Sequence, residues 1–412
     1  MLPLWQRVAR TGFLAWLVFL PLTGLHLERY EVSQHWQNAL WLAMGVALLH
    51  LLWGGLAQTS QGQRWIQQLA PRASAGVVVG GGMQSRWPLL LVVLLAFLLP
   101  FFVSKYWLNV ATLAMIYVLL GVGLNIVVGL AGLLDLGYVA FYAVGAYGYG
   151  LGAQYLGLNF WQAIPFAALL AALLGAVLGF PVLRMHGDYL AIVTLGFGEI
   201  IRLVLNNWGS FTGGPNGVAV PFPSIPGLSF NKVAKPGERT IHDLLGIPFD
   251  SSYKYIFLYL VLLIMVVLVI LAVSRIRTMP IGRAWEALRE DEIACRSLGI
   301  NHVVVKLSAF SLGALCGGIG GVFFAASQGF INPHSFTFFE SAMILAIVVL
   351  GGMGSIVGVV AAAVTLTVLP ELLREFADYR VLVFGLAMVG MMIWRPRGLL
   401  RLRRPHFPVS AP

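Results

Sequence analysis

The chain has 412 residues, of which 59% are hydrophobic and only 10% charged, and its mean hydropathy is +0.86. Soluble domains carry about 25% charged residues, so this chain has too few to clothe a water-facing surface, and its apolarity is the opposite of what a disordered chain needs. The net charge of +10 is spread over short segments between apolar runs, which excludes nucleic acid as the partner and leaves the lipid bilayer.

A helix that spans a bilayer needs about 20 apolar residues. Runs near that length recur at 11–27, 38–57, 87–104, 107–134, 136–157, 160–183, 189–207, 253–274, 303–327, 337–350, 354–370 and 380–395. None alternates with period two, and only helices or closed barrels satisfy their backbone in lipid. The expected fold is all-α, a polytopic transmembrane bundle of about 10–12 spans. The short runs 337–350 and 354–370 leave room for one helix broken around 350–354.

The first run follows Arg7 and Arg10, contains Pro21 and lacks a small-x-small cleavage site, so it reads as a retained helix, not a signal peptide. Residues 58–86 are rich in Gln, Gly and Ser and include Gly80-Gly81-Gly82, the composition of a flexible linker. The expected division is an accessory transmembrane hairpin with its linker over 1–86 and a main bundle over 87–412. Counting crossings from a cytoplasmic N-terminus puts Arg64, Arg72, Arg86, Arg184, Arg275, Arg277, Arg283, Arg289, Arg296 and Lys306 on the inside. Arg395, Arg397, Arg401, Arg403 and Arg404 join them if 337–370 crosses twice. That asymmetry obeys the positive-inside rule and places both termini in the cytoplasm, with 208–252 outside.

Gly313, Gly317 and Gly321 recur every fourth residue, and Gly175/Gly179 and Gly354/Gly358 repeat the spacing. Small residues at this period let helices approach closely in lipid, either as fixed packing or as a moving interface. Catalytic motifs are missing: no Gly-Lys phosphate loop, no HExxH, no GxSxG. The two cysteines, Cys295 and Cys316, form no CxxC pair. No catalytic residue, bound cofactor or metal ligand is expected. Ionisable residues inside apolar runs are costly and usually functional; Asp135 and Glu199 stand out. Asp135 lies at a run boundary, where interfacial water would suffice, and Glu199 has Arg202 one turn away. Two acids are a thin endowment for a proton relay, so the driving energy is expected to enter from elsewhere.

Residues 275–302 form the charged segment between two spans. Trp285, Leu288, Glu292 and Cys295 fall at helical spacing, Glu286/Arg289 and Glu292/Arg296 are i,i+3 and i,i+4 partners, and Gly299 supplies a stop. Such a helix suits docking into a groove of a soluble partner or a solvated interfacial position.

The stretch Gly282-Arg283-Ala284-Trp285-Glu286-Ala287-Leu288-Arg289-Glu290-Asp291-Glu292-Ile293-Ala294 resembles the EAA coupling loop of bacterial ABC importer permeases. It is most similar to the LivM-type permease of the high-affinity branched-chain amino acid transporter. Gly187–Ile200 (GDYLAIVTLGFGEI), Thr212–Gly217 (TGGPNG), Leu350–Ser355 (LGGMGS), Gly123-Leu124-Asn125 with Gly129–Gly132, and Trp394–Leu400 resemble the same family, covering about 110–400. The N-terminal hairpin also fits its proteobacterial members, whereas Asp135 departs from the expected apolar or small residue.

The resemblance implies a bacterial inner-membrane subunit that moves leucine, isoleucine and valine without hydrolysing ATP itself. Its partners would be a homologous second permease, two cytoplasmic ATP-binding subunits holding the ATP and Mg, and a periplasmic amino acid-binding protein. Arg283, Trp285, Glu286, Ala287, Arg289, Glu290, Asp291, Glu292 and Gly299 would couple to the ATPases. Asn125, Thr194, Glu199, Thr212, Gly213, Gly214, Asn216, Gly351, Gly352 and Gly354 are candidates for the path or gate. A proton-coupled transporter using Asp135 and Glu199, an ABC permease for sugars, urea or short amides, and a non-transporting scaffold are the competing readings.

Overall fold

A computed structural model of the chain describes residues 25–28, 31–34, 87–182, 185, 187–224, 228–229, 239–240, 252–372, 385 and 389. The chain divides into two compact units, residues 1–81 with 373–383 and 405–412, and residues 82–372 with 384–404. In the first, β1 (Leu25–Glu28) pairs antiparallel with β2 (Glu31–Gln34), Leu25 opposite Gln34. The apolar run 11–27 therefore does not continue as a helix through Leu27. The rest of that run, and those at 38–57 and 380–395 apart from residues 385 and 389, lie outside the described residues.

The second unit is helical. Its elements are α1 (Trp87–Phe102), α2 (Lys105–Leu124), α3 (Val139–Leu156), α4 (Phe160–Val182) and α5 (Asp188–Asn207), with two-residue strands β3 (Val218–Ala219), β4 (Leu228–Ser229) and β5 (Arg239–Thr240) in the connection that follows. Then come α6 (Ser252–Thr278), α7 (Pro280–Glu290), α8 (Glu292–Ser297), α9 (His302–Gln328), β6 (Phe330–Ile331), α10 (Phe338–Gly351) and α11 (Ile356–Leu372). Among the described residues six stretches are long and apolar enough to cross a membrane: 105–130, 160–181, 189–207, 252–278, 302–328 and 333–351. On α4 the exposed row Leu169, Leu173, Val177, Phe180 follows helical spacing and suits lipid or a partner helix.

Helix α9 is largely enclosed. Asn301 caps it, its side chain accepting from the amides of Val303 and Val304 at 3.1 and 3.3 Å, and Gly329, with φ of +70°, ends it. Its 27 residues make a rod about 40 Å long, longer than the roughly 30 Å hydrocarbon core. The glycine stripe faces α2 and α3: a Cβ on Gly313 would meet Val127, one on Gly317 would meet Phe141, and one on Gly321 would strike the backbone of Tyr142 and Ala146. Gly175 on α4 rests against Ala314 and Phe310. The spacing thus corresponds to close helix contacts in this structure.

The two ends of the bundle differ. At one end β6 pairs antiparallel with β3, Ile331 opposite Val218, and Gly150 near the end of α3 packs on both strands. At the other end α7 and α8 pack on the start of α9. Toward this second end α2 turns into a six-residue π turn, Asn125–Leu130, with the amides of Ala131 and Leu133 bonded to the carbonyls of Ile126 and Val127 at 3.0 Å. The segment between α2 and α3 is mostly buried, Gly132 being exposed, and the amide of Val139 donates to Ser341 at 2.9 Å. Non-helical backbone at membrane depth is tolerated only where protein satisfies it.

The break at 350–354 is a reversal. The 14 residues of α10 reach about 21 Å, Gly352 and Gly354 take φ of +101° and +86°, and α11 returns alongside α10 with Gly358 against Gly351. The short runs are thus two arms of one helical hairpin.

Replacing Gly321 by Val should cost about 1–3 kcal/mol or more, because the new side chain meets backbone that cannot yield. Gly196→Ala, on a helix with open space around the position, should be neutral or gain up to about 1 kcal/mol. Thermal unfolding of the detergent-solubilised protein distinguishes the two.

Candidate functional site

The charged segment folds as two helices. Pro280 opens α7 at a position where a missing amide costs nothing, and Asp291 interrupts the helix in extended conformation, then caps α8 by accepting from the amides of Ile293 and Ala294 at 2.8 and 3.0 Å. Gly299, with φ of +80°, ends the segment. The face carrying Trp285, Leu288 and Cys295 turns into the bundle: Trp285 is fully buried and its indole Nε1 lies 3.0 Å from the Ser308 hydroxyl and 3.2 Å from the Val305 carbonyl of α9. Trp285 anchors the segment and is not part of its outward surface. That surface carries Arg283, Glu290, Asp291 and Gly299, with Ile293 and Leu298 left 80% and 79% exposed. Ala287 is half-buried on α7.

The ion pairs differ in part from the sequence pattern. Glu292 and Arg296 pair at 2.6 Å as the i,i+4 spacing implies. Glu286 instead pairs with Arg277 of α6 at 2.9 Å, because Arg289 points the other way and donates from Nη1 to the carbonyl of Gly129 at 2.5 Å. Glu292 also receives Lys306 of α9 at 2.8 Å, the lysine side chain being 2% exposed and the glutamate's 19%. Burial alone would raise the Glu292 carboxyl, but the Lys306 ammonium and the Arg296 guanidinium outweigh it and hold it below the ordinary range. The pairing is therefore complete at neutral pH and is lost only as pH falls through that depressed value. A cavity of about 150 Å³ lies behind the segment, lined by residues including Gly132, Leu134, Leu190, Arg289, Glu292 and Lys306.

The path and gate candidates fall into separate groups. Asn125 and Gly354 meet: the amide of Gly354 donates to Asn125 Oδ1 at 2.8 Å, with Gly351 and Gly352 in the same reversal. Thr194 of α5 accepts from the amide of Leu136 at 3.0 Å, beside Asp135, which is buried and accepts from the amide of Gly137 at 2.8 Å. Interfacial water does not account for Asp135. Glu199 pairs with Arg202 at 2.8 Å, each about one-third exposed. Thr212, Gly213, Gly214 and Asn216 form a tight turn at the β3–β6 end: Thr212 is buried with its hydroxyl 2.6 Å from the Leu205 carbonyl, Gly213 and Gly214 take φ of +73° and +56°, and Asn216 is exposed. This turn borders a wider cavity of about 570 Å³ in which Tyr155 and Phe211 stack at 5.4 Å.

Three contributors were not singled out from the sequence. Glu340, in the first turn of α10, accepts from the hydroxyl of Tyr117 at 2.7 Å; an acid inside the apolar run 337–350 was the available signal. Gly129 and Gly132 were visible only as part of a family motif, and it takes the fold to bring Arg289 onto both. No cluster of three or more potential metal ligands occurs among the described residues.

A polytopic helical bundle with buried, helix-interrupting turns and a charged helical segment beneath it defines a membrane transport permease. Residues 106–392 match the family described as branched-chain amino acid transport system / permease component. The chain is 50% identical over 342 residues to the high-affinity branched-chain amino acid transport system permease protein LivM of Escherichia coli (strain K12), covering 82% of this chain and 80% of that protein. It is 51% identical over 343 residues to the LivM of Salmonella typhimurium, covering 83% and 81%. It is also 30% identical over 331 residues to the autoinducer 2 import system permease protein LsrC of Escherichia coli O157:H7, covering 75% and 86%. The chain belongs to the branched-chain amino acid permease family. No solved structure matches it.

Because Lys306 is nearly enclosed while Glu292 keeps Arg296 and some solvent, the two halves of their pair should differ in cost. Glu292→Gln should destabilise by about 2–3 kcal/mol, Lys306→Met by about 1, and the double change should recover most of the loss. Melting temperatures of the four proteins check this.

Proposed function

We propose that this chain is the permease subunit of an ATP-driven importer that carries leucine, isoleucine and valine across a bacterial inner membrane. A second, homologous permease completes the pathway, two ATP-binding subunits dock below, and a periplasmic amino acid-binding protein delivers substrate above. Both termini and the 275–302 segment face the cytoplasm. The energy comes from the ATPases, and this chain holds no nucleotide, metal or other cofactor.

The observation that carries the reading is the exposure of Ile293 and Leu298 on a segment otherwise fixed by Trp285. The two exposed aliphatic side chains offer a partner apolar surface beside charged neighbours, and a rigid anchor transmits whatever force that partner applies. At the opposite end the exposed turn at Pro215 and Asn216 offers the binding protein a contact. Leucine, isoleucine and valine share a zwitterionic head and an apolar side chain. A path lined by small and apolar residues passes them without trapping them, and selectivity rests with the binding protein. The 50% and 51% identity to LivM permeases over most of the chain favours these substrates over the solute imported by the system of the more distant LsrC relative.

The test is the paired change Ile293→Asp and Leu298→Asp. The altered permease should reach the membrane in normal amount but lose co-purifying ATPases and ATP-dependent leucine uptake in reconstituted vesicles. Normal ATPase recovery and uptake would remove the docking assignment. Uphill uptake by vesicles holding no ATPase would remove the whole reading.

A further inference from the structure

The contacts of Arg289 and Asn125 run in sequence from the coupling segment to the hairpin reversal. The π turn ends α2 with carbonyls that no later helical amide takes up, and Gly129 is one of them. Arg289 reaches it from α7, its stem lying over Gly132, which takes φ of +74°. A Cβ on Gly132 would stand 2.7 Å from Arg289 Cγ, so glycine is what lets the arginine approach. One turn earlier on the same helix, Asn125 packs against Gly129, where a Cβ would strike both the Asn125 amide and the Gly354 backbone. Asn125 Oδ1 in turn accepts from the Gly354 amide at 2.8 Å.

Two hydrogen bonds, Arg289 to the Gly129 carbonyl and the Gly354 amide to Asn125, thus fall one turn apart on the same unwound stretch. They bring to it a guanidinium on the segment beneath the bundle and an amide in the turn between α10 and α11. Asn125 is fully buried, and its Nδ2 donor has no partner among the described residues. A fully satisfied amide would lock the turn in place. One with a spare buried donor gains a bond if the turn shifts, which is the property a two-position element needs.

We propose that Arg289 and Asn125 are positioning residues that tie the coupling segment to the Gly352–Gly354 reversal, so that displacement of α7 re-sets the α10–α11 hairpin. This rests on the reading of 290–299 as the ATPase docking face and names where its movement goes. Simple capping of α2 by Arg289, with no consequence for the hairpin, is the competing account. It predicts lost stability without lost coupling.

The full complex of permeases, ATPases and binding protein is reconstituted with Asn125→Leu, which removes acceptor and donor at near-constant size, and with Asn125→Asp, which keeps the acceptor but loses the amide donor. For each, ATPase stimulation by leucine-loaded binding protein, relative to the same complex without it, is read with leucine uptake and subunit stoichiometry. Asn125→Leu should assemble but lose most of its stimulation and lower uptake by about tenfold, within the usual range of coupling between sites, and Asn125→Asp, lacking the spare donor, should lose stimulation as well. Wild-type stimulation and uptake in Asn125→Leu would overturn the proposal. Should that variant fail to assemble, hydrogen exchange of the 350–356 segment in the wild-type complex decides: a change of about tenfold on adding a non-hydrolysable ATP analogue is expected, and unchanged protection overturns the linkage. ATPase recovery keeps the two ideas apart, since docking fails in the Ile293/Leu298 variant and is retained in the Asn125 variants.

Discussion

The close approach of α9 to α2, α3 and α4 is the constraint from which the rest of the architecture follows. Lipid provides no hydrophobic drive for helices to associate, so the bundle holds through dispersion and backbone proximity, and both require side chains to be absent where helices cross. Gly313, Gly317 and Gly321 supply that absence on one side of α9, and Gly318 meets Gly145 and Ala171 on another. With contact on several sides, α9 is a stiff rod whose two ends are fixed relative to one another. The far end leads through Gly329 into β6 and the contact with β3. The near end carries Val305, Lys306 and Ser308, the residues that hold α7 and α8.

Polarity is distributed to match. Where irregular backbone enters the bundle, at 131–138 and 332–337, side chains stand in for the missing helical bonds: Thr194 for Leu136, Asp135 for Gly137, Ser341 for Val139 and Asn332 for Ser335. Each of these groups serves the backbone first. Asp135 supports a tight turn through Oδ1, its Oδ2 having no hydrogen-bond partner among the described residues, and Glu340 accepts from the Tyr117 hydroxyl.

Much of this was legible in the sequence, because hydropathy and glycine spacing report directly on lipid exposure and helix contact. The helices between 87 and 370, six of them long and apolar enough to cross a membrane, the close contacts at the glycine stripes and the Glu292–Arg296 pair all follow from local patterns. What escaped was set by tertiary geometry. Helical spacing put Trp285 and Leu288 on one face of α7 but could not say whether that face looked toward a partner or toward α9. Arg289 sits at i+3 from Glu286, yet Gly129, 160 residues away, offers a carbonyl with no helical claim on it, while Arg277 lies within reach of Glu286. The reversal at Gly352–Gly354 was ambiguous because a glycine run marks a break without giving its direction. That information resides in the Gly351–Gly358 contact, which exists only when the chain turns back.

The 280–299 segment is held on α9 from both sides of a break. Asp291 leaves helical conformation for one residue and restarts α8 as its cap. Before the break Trp285 is fixed against Ser308, and directly after it Glu292 is fixed against Lys306. Ile293, the residue that follows the second anchor, and Leu298, which closes α8, stay exposed. Anchoring and exposure therefore alternate over a few residues, because a capped restart sets Glu292 on the bundle while its immediate neighbour in the first turn points away.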